Sequence, residues 1–192
     1  MINPATAIVA LWVAWLAAWI AAAPFTKRTL QRQPTGARWR YAALQWAGTI
    51  LLAHPIAQVT VLRPVLPWSD AAGWAEVALA FAGFALAVWA RVHLGRNWSA
   101  VVTLKDEHTL IRSGPYAITR HPIYMGILTA AAATALLRSS VADAVGFALL
   151  ATAFVIKARQ EERLMDATFG AAYAAYRQDV PMLLPALAPR GR

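Results

Sequence analysis

Five long apolar stretches, separated by loops that hold most of the charge, constrain the fold of this chain more than any other feature. A helix needs about 20 apolar residues to cross roughly 30 Å of hydrocarbon. The stretches reach or approach that length, and they run from about Ala5 to Ala23, Tyr41 to Leu62, Trp74 to Leu94, His121 to Leu137 and Val141 to Ile156. We therefore predict an all-α integral membrane helical bundle of about five transmembrane helices, followed by a cytoplasmic amphipathic C-terminal segment.

The composition argues against a water-soluble domain and against several kinds of site. Of the 192 residues, 59% are hydrophobic and 14% are charged, whereas soluble domains carry about 25% charged residues. Cysteine is absent and the four histidines lack metal-ligand spacing, so we expect no disulfide, thiolate nucleophile or metal site. The net charge of +9 does not predict a nucleic-acid partner, because the basic residues lie between apolar stretches.

The distribution of Lys and Arg among the loops predicts the orientation. The loops on one side are rich in basic residues, namely Lys27, Arg28, Arg32, Arg38 and Arg40 in the first loop and Arg96, Lys105, Arg112 and Arg120 in the third. The second and fourth loops offer essentially Arg63 and Arg138. Because basic loops stay in the cytoplasm, we expect the N-terminus outside and the C-terminus inside, in a bacterial inner membrane.

Most of the polar side chains fall in two segments, one before the fourth stretch and one after the fifth. These are Arg96 to Tyr124 and Lys157 to Asp179. Ser140 and Asp143 have capping-box spacing, which predicts a turn between two antiparallel helices. That hairpin would bring both polar segments together at the cytoplasmic surface and build one site from them.

The first segment has features of a binding site at the start of a helix. Pro122 suits the first turn of a helix, and the positive end of that helix together with Arg120 would favour an anionic group. His121 and Tyr124 are three residues apart and share a face. Gly114 allows a close approach between backbone and ligand.

The second segment predicts an amphipathic helix, interrupted at Gly170, that lies along the membrane. Its apolar stripe consists of Leu164, Phe169, Tyr173 and Tyr176.

Together these segments resemble the isoprenylcysteine carboxyl methyltransferase family. The first part of the resemblance comprises His108, Thr109, Leu110, Gly114, Tyr116, Arg120, His121, Pro122, Tyr124 and Gly126. The second part comprises Glu161, Glu162, Leu164, Phe169, Gly170, Tyr173, Tyr176, Val180 and Pro181. It covers about Leu94 to Pro185. We treat residues 1–192 as a single membrane domain, in which 1–93 carry no recognisable motif and 94–185 form the cofactor-binding half.

The resemblance implies a methyltransferase that uses S-adenosyl-L-methionine within the membrane and that lacks the Rossmann G-x-G-x-x-G fingerprint. It implies cofactor contacts from His108, Leu110, Gly114, Tyr116, His121, Pro122, Tyr124 and Glu161. It implies catalytic roles for Arg120 and Glu162, with Arg120 orienting the acceptor or the cofactor carboxylate. A carboxylate acceptor needs no base, whereas an amine or thiol acceptor would require Glu162 or His121 to take a proton.

Several alternatives stay open from the sequence. The lipophilic acceptor, a small molecule or a lipid-modified one, is a prenylcysteine carboxylate, a phospholipid amine, or a small acid or thiol. A second class is an NADPH-dependent membrane reductase of the sterol-reductase type, and a third is a non-catalytic membrane partner. In the simplest structural reading, Glu161 and Glu162 pair with Lys157 and Arg159 on one helix.

Two groups outside the motifs have structural interpretations. Arg91 and His93 are predicted to extend to the inner membrane surface. Trp12, Trp15 and Trp19 share a face of the first helix and predict packing or lipid contacts.

Overall fold

The computed structural model describes residues 2–23, 29–32, 35–53, 69–95, 98, 103–105 and 109–184. Its α-helices are α1 (Pro4–Ala22), α2 (Thr35–Ala53), α3 (Asp70–Leu94), α4 (Pro122–Arg138), α5 (Val141–Phe169) and α6 (Ala171–Asp179). A 3-10 helix covers Gly114–Ala117. The predicted helical membrane bundle is confirmed. In addition, β1 (Thr29–Arg32) and β2 (Thr103–Lys105) form an unpredicted antiparallel ribbon, in which Arg32 pairs with Thr103.

Three of the helices are long and apolar enough to cross a membrane: α1, α3 and α5. Two further apolar helical segments are shorter, Tyr41–Ala53 within α2 and Pro122–Arg138, which is α4. The second predicted stretch continued to Leu62, but the part of it that contains His54 and Pro55 lies outside the described residues.

Helix α5 is much longer than the predicted stretch, which ended at Ile156. It continues to Phe169 because good helix formers follow Ile156 and no Gly or Pro occurs before Gly170. Gly170 has a positive φ of 50° and ends the helix. At 1.5 Å per residue, its 29 residues extend about 43 Å, which exceeds a hydrocarbon layer of roughly 30 Å. The last turns of α5 therefore project beyond the apolar layer and carry the second polar segment.

The predicted hairpin between α4 and α5 is present. Ser139 adopts a left-handed conformation after the end of α4. The Ser140 hydroxyl accepts a hydrogen bond of 3.1 Å from the Asp143 backbone N–H, which is the expected cap. Arg138 Nε lies 3.0 Å from the buried Asp143 carboxylate. This antiparallel pair places the start of α4 beside the polar end of α5.

The helices form a curved arrangement in the order α1, α3, α4, α5, α2. Helix α3 packs along α4, and α2 packs along α5, while α1 packs against α3. Both long contacts are close because glycines face each other: a Cβ added to Gly48 would lie 2.6 Å from the Gly146 carbonyl oxygen. Gly83 and Gly126 make the equivalent approach between α3 and α4. Helices α1 and α2 thus stand at the two ends of the arc.

Arg91 is buried between helices instead of lying exposed at the surface of the fold. Its guanidinium is buried and donates hydrogen bonds to the carbonyl oxygens of Ala22, at 2.8 Å, and Gly95, at 2.9 Å. Because the last carbonyls of a helix have no partner within that helix, Arg91 binds the ends of both α1 and α3. Its guanidinium also lies 4.3 Å from the centre of the Trp98 ring. His93 binds the Ser113 hydroxyl at 2.9 Å rather than extending away from the fold.

The three tryptophans of α1 make the predicted packing contacts. Trp12 donates a hydrogen bond of 2.9 Å to Thr134 of α4 and packs edge-on against Phe84 of α3. Trp15 stacks on Trp19 with ring centres 4.9 Å apart. These rings pack α1 against α3 and α4.

Candidate functional site

The structure brings the two polar segments together at one end of the α4–α5 hairpin. Arg120 Nε lies 2.7 Å from Glu162 Oε1, and His121 Nε2 lies 3.3 Å from the same oxygen. His121 Nδ1 lies 3.5 Å from Glu161 Oε2, and the Tyr124 hydroxyl donates a hydrogen bond of 2.5 Å to Glu161 Oε1. The carboxylates of α5 therefore bind residues at the start of α4. Glu162 therefore pairs with Arg120 and His121 rather than with a basic residue of its own helix, as the simplest structural interpretation had it.

The local sequence explains this arrangement. Pro122 begins α4, so His121 and Arg120 lie just outside the helix with their side chains free to turn towards α5. The turn at Ser139 and Ser140 is nearly equidistant along the chain from both clusters. The antiparallel packing of α4 and α5 therefore brings the two clusters to the same level.

Burial makes these contacts important energetically. The side chains of Arg120 and Glu162 are each 9% exposed, and a buried carboxylate without a partner is strongly destabilising. Burial by itself lowers the pKa of His121, but its hydrogen bonds to Glu161 and Glu162 outweigh that effect and raise the pKa above its ordinary value. The site thus favours the protonated form of His121.

Residues 171–184, which we call the C-terminal strap, lie across this cluster and are held there by hydrogen bonds. The backbone N–H groups of Arg120 and His121 donate to the carbonyl oxygens of Pro181, at 2.9 Å, and Met182, at 3.1 Å. The Thr119 hydroxyl also donates to the Met182 carbonyl at 2.9 Å. The strap therefore binds the backbone immediately before α4.

Side chains add further attachments to the strap. The Tyr176 hydroxyl donates a hydrogen bond of 2.6 Å to the Tyr116 carbonyl, and burial raises the pKa of Tyr176 to about 12. Arg120 donates to the carbonyl oxygens of Arg177, at 3.2 Å, and Val180. Arg112 donates to that of Ala172. Arg120 therefore binds Glu162 and the strap at the same time.

A cavity of about 820 Å³ extends from this cluster into the bundle. Among the predicted site residues, those that line it are Leu110, Tyr116, Arg120, His121, Pro122, Tyr124 and Glu161. Its apolar part is lined by side chains from α1, α2, α4 and α5, including Trp12, Trp15, Trp46, Leu52, Ile127, Leu150 and Phe154. The cavity thus joins a charged end to an apolar region between the helices.

The remaining predicted site residues lie elsewhere. Glu162 does not line the cavity, but its carboxylate binds Arg120, which does. Gly114 has a φ of 60° and approaches His93 closely, since a Cβ there would lie 2.8 Å from His93 Cε1. The close neighbour of its backbone is therefore a histidine ring, not the cavity. His108 lies outside the described residues.

Sequence reasoning missed Lys157 and Tyr41 as members of the site. Lys157 lines the cavity, and its ammonium lies 5.1 Å from the centre of the Tyr124 ring and 5.9 Å from that of Tyr41. The position of Lys157 four residues before Glu161 was a signal that both share a face of one helix. Tyr41 comes from α2, so only the packing of α2 on α5 could reveal it.

The match to a known family agrees with this geometry. Residues 76–167 match the isoprenylcysteine carboxyl methyltransferase family. The resemblance is confirmed. The matched range begins within α3 and includes α4 and most of α5. It therefore contains the Arg120, His121, Glu161 and Glu162 cluster.

Individual relatives extend the comparison. The chain is 46% identical over 78 residues to methanethiol S-methyltransferase 2 of Bradyrhizobium diazoefficiens, which is 40% of this chain and 29% of that protein. It is 32% identical over 99 residues to protein-S-isoprenylcysteine O-methyltransferase of Schizosaccharomyces pombe, which is 50% of this chain and 42% of that protein. It is 29% identical over 154 residues to the cobalt-zinc-cadmium resistance protein CzcN of Cupriavidus metallidurans, covering 78% and 62% respectively. The aligned part is thus less than two thirds of each relative's length.

Proposed function

We propose that the protein is an S-adenosyl-L-methionine-dependent methyltransferase of the membrane that methylates a lipophilic acceptor at a carboxylate. The observation that carries this proposal is a single cavity that joins a charged cluster to an apolar region between the helices. A polar cofactor suits the first part and a lipophilic acceptor suits the second. A volume of about 820 Å³ lies within the range of roughly 300–1,000 Å³ that is typical of small-molecule sites.

The residues at the charged end fit such a cofactor. When bound, S-adenosyl-L-methionine supplies a methyl group carried by a positively charged sulfur. The carboxylate of Glu161 suits a cationic ligand, and the guanidinium of Arg120 suits a carboxylate. We assign cofactor contacts to the predicted residues that line the cavity, namely Leu110, Tyr116, His121, Pro122, Tyr124 and Glu161. The resemblance alone implies such contacts for His108 and Gly114.

We assign a catalytic role to Arg120 and a positioning role to Glu162, which acts through Arg120. In the proposed reaction, an acceptor carboxylate oxygen forms a bond to the methyl carbon as the carbon–sulfur bond breaks, which gives a methyl ester and a thioether. No proton is lost, so the protein's task is alignment and the exclusion of water. Glu162 holds the guanidinium of Arg120 in place, and Arg120 orients the carboxylate of the cofactor. The C-terminal strap covers the cluster against water.

The relatives point to two acceptor classes. One is named for methanethiol and another for an isoprenylcysteine carboxyl group. The apolar lining of the cavity, with Trp12, Trp15 and Trp46, favours the larger lipophilic acceptor. A small thiol is the second candidate, supported by the identity to the methanethiol enzyme. It would need His121, which lines the cavity, to take the thiol proton.

Calorimetry on detergent-purified protein tests the cofactor part of the proposal. We expect micromolar binding of S-adenosyl-L-methionine and S-adenosylhomocysteine, weakened at least about ten-fold by Arg120→Ala or Glu162→Ala because each leaves a buried charge without its partner. Arg159→Ala is the matched control, since Arg159 is exposed on the same helix as Glu162. Folded protein that binds neither compound but binds NADPH would overturn the proposal in favour of a reductase.

Transfer of labelled methyl groups identifies the acceptor. We expect label in lipophilic carboxylic acids and no label in long-chain amines or short thiols. Label confined to methanethiol-like compounds would replace the carboxylate with the second candidate.

We further propose that the chain lies in a bacterial inner membrane with its C-terminus in the cytoplasm. Residues 1–192 would act as one domain, in which 94–185 hold the cofactor and the earlier helices contribute to the acceptor wall. The basic first and third loops support this orientation.

A further inference from the structure

One face of α5 lines the cavity from Leu150 to Leu164. The residues on that face are Leu150, Phe154, Lys157, Glu161 and Leu164. Spacings of three and four residues keep them in one stripe on a helix. With a rise of 1.5 Å per residue, Lys157 lies about 6 Å along the helix from Glu161 and about 4.5 Å from Phe154. Lys157 therefore stands where the apolar lining changes to the charged lining.

The surroundings of Lys157 hold its ammonium at the cavity wall. Lys157 is buried, with 8% of its surface exposed. Its ammonium lies 5.1 Å from the centre of the Tyr124 ring and 5.9 Å from the centre of the Tyr41 ring. Aromatic faces attract cations. Glu161 lies one helical turn further on. Since Tyr41 comes from α2 and Tyr124 from α4, three helices fix the position of this charge.

The protonation of His121 decides the net charge at this end of the cavity. Among the described residues of the cluster, Arg120 and Lys157 are cations and Glu161 and Glu162 are carboxylates, so these four charges balance. His121 is bound by both carboxylates and adds a positive charge when it is protonated. An ammonium headgroup would add to this positive charge, whereas a carboxylate headgroup would neutralise it.

We propose that Lys157 determines the charge of the acceptor. Its ammonium holds the carboxylate of a lipophilic acid whose chain lies against Phe154 and Leu150, and it excludes amphiphiles with an amine headgroup. This inference rests on the proposed function for the later transfer step, but the binding of the acid does not require that step. Lys157 is a specificity-determining residue and takes no part in bond making or breaking.

Binding of matched amphiphiles tests the proposal. Three compounds with the same alkyl chain and a carboxylate, a primary amide or an amine headgroup are titrated calorimetrically at pH 7.5 into detergent-purified protein saturated with S-adenosylhomocysteine. We expect the acid to bind at least about ten-fold more tightly than the amide, because a charge-assisted hydrogen bond in a buried site is stronger than a neutral one. The amine binds most weakly.

Three variants complete the design. Lys157→Gln is expected to remove the preference for the acid and leave amide binding unchanged. Lys157→Arg is expected to restore most of that preference, since it keeps the charge. Arg159→Gln removes an exposed cation two residues away and is expected to behave like the unmodified protein. Retained S-adenosylhomocysteine binding in each variant reports that the site is folded.

The outcomes separate this proposal from the proposed function. Equal binding of acid and amide by the unmodified protein, or equal weakening of both in Lys157→Gln, would overturn the role of Lys157. Methyl transfer to acids that is indifferent to Lys157→Gln would overturn it as well, while the methyltransferase function stands. A Lys157-dependent preference for acids without methyl transfer would support the role of Lys157 and refute the proposed reaction.

Discussion

At the scale of single residues, Glu162 joins the two halves of the site. One of its carboxylate oxygens binds both Arg120 and His121, and Arg120 in turn binds the C-terminal strap. The motifs predicted that these side chains belong to one site, because they lie at the two ends of a predicted hairpin. They did not predict that Glu162 lies behind Arg120 and outside the cavity, since that depends on rotamers set by packing.

The pairing of His121 predicts a pH dependence of stability. Its hydrogen bonds to Glu161 and Glu162 raise its pKa in the folded protein above the ordinary value of 6.5. The stabilisation from this pairing is fully present below pH 6.5 and is lost as the pH rises through the higher folded pKa. Melting temperatures in detergent between pH 6 and pH 9 should therefore decline, and His121→Gln should show a flatter profile over that range.

A parallel decline in both proteins would show that other groups cause the pH dependence. The variant keeps a polar side chain of similar size, so loss of volume does not account for a difference. The comparison therefore isolates the titration of the imidazole.

At the scale of elements, the sequence predicts helix existence better than helix ends. The turn at Ser140 and the start of α4 at Pro122 carry local signals that the structure confirms. The extension of α5 to Phe169 was missed because a change from apolar to polar residues was interpreted as the end of a membrane helix, although helix propensity continues. The β1–β2 ribbon joins segments far apart in the chain, which local patterns cannot show.

Close helix packing predicts the effect of adding one methyl group. Gly126→Ala should lower the free energy of unfolding by about 1–3 kcal/mol, because the new Cβ would lie 2.8 Å from the Ala87 backbone nitrogen on α3. Gly36→Ala is the matched control, since nothing lies within 4 Å of a Cβ there. Thermal unfolding in detergent should separate the two variants. Equal stability would mean that α3 and α4 are not in close contact at Gly126.

At the scale of the whole molecule, the helix order places the cavity between the ends of an arc. Helix α1 packs on α3, and α2 packs on α5, so the walls that α1 and α2 contribute come from opposite ends of the bundle. The motifs predicted a cofactor-binding half and assigned no role to the first two helices. Their contribution depends on helix order, which hydropathy does not encode.

The proposed orientation gives a prediction for the intact cell. The chain lacks cysteine, so single cysteines can be introduced at exposed positions without background. A thiol reagent that does not cross membranes should label Ala71→Cys in intact bacteria and should label Ala175→Cys only after permeabilisation, because the two residues lie near opposite ends of the bundle. The reverse pattern would invert the proposed topology.

The length of α5 has a consequence for how the protein responds to its lipids. Because α5 is about 43 Å long, it still crosses a layer of roughly 30 Å when it tilts in response to a change in bilayer thickness. The tilt changes which residues lie at the lipid headgroups, but it leaves the spacing between Phe154, Lys157 and Glu161 unchanged, because one uninterrupted helix carries all three. A change in bilayer thickness would therefore alter how a lipophilic acceptor enters from the bilayer. The distance between the proposed site for its headgroup, at Lys157, and the proposed site for its chain, at Phe154, would stay constant.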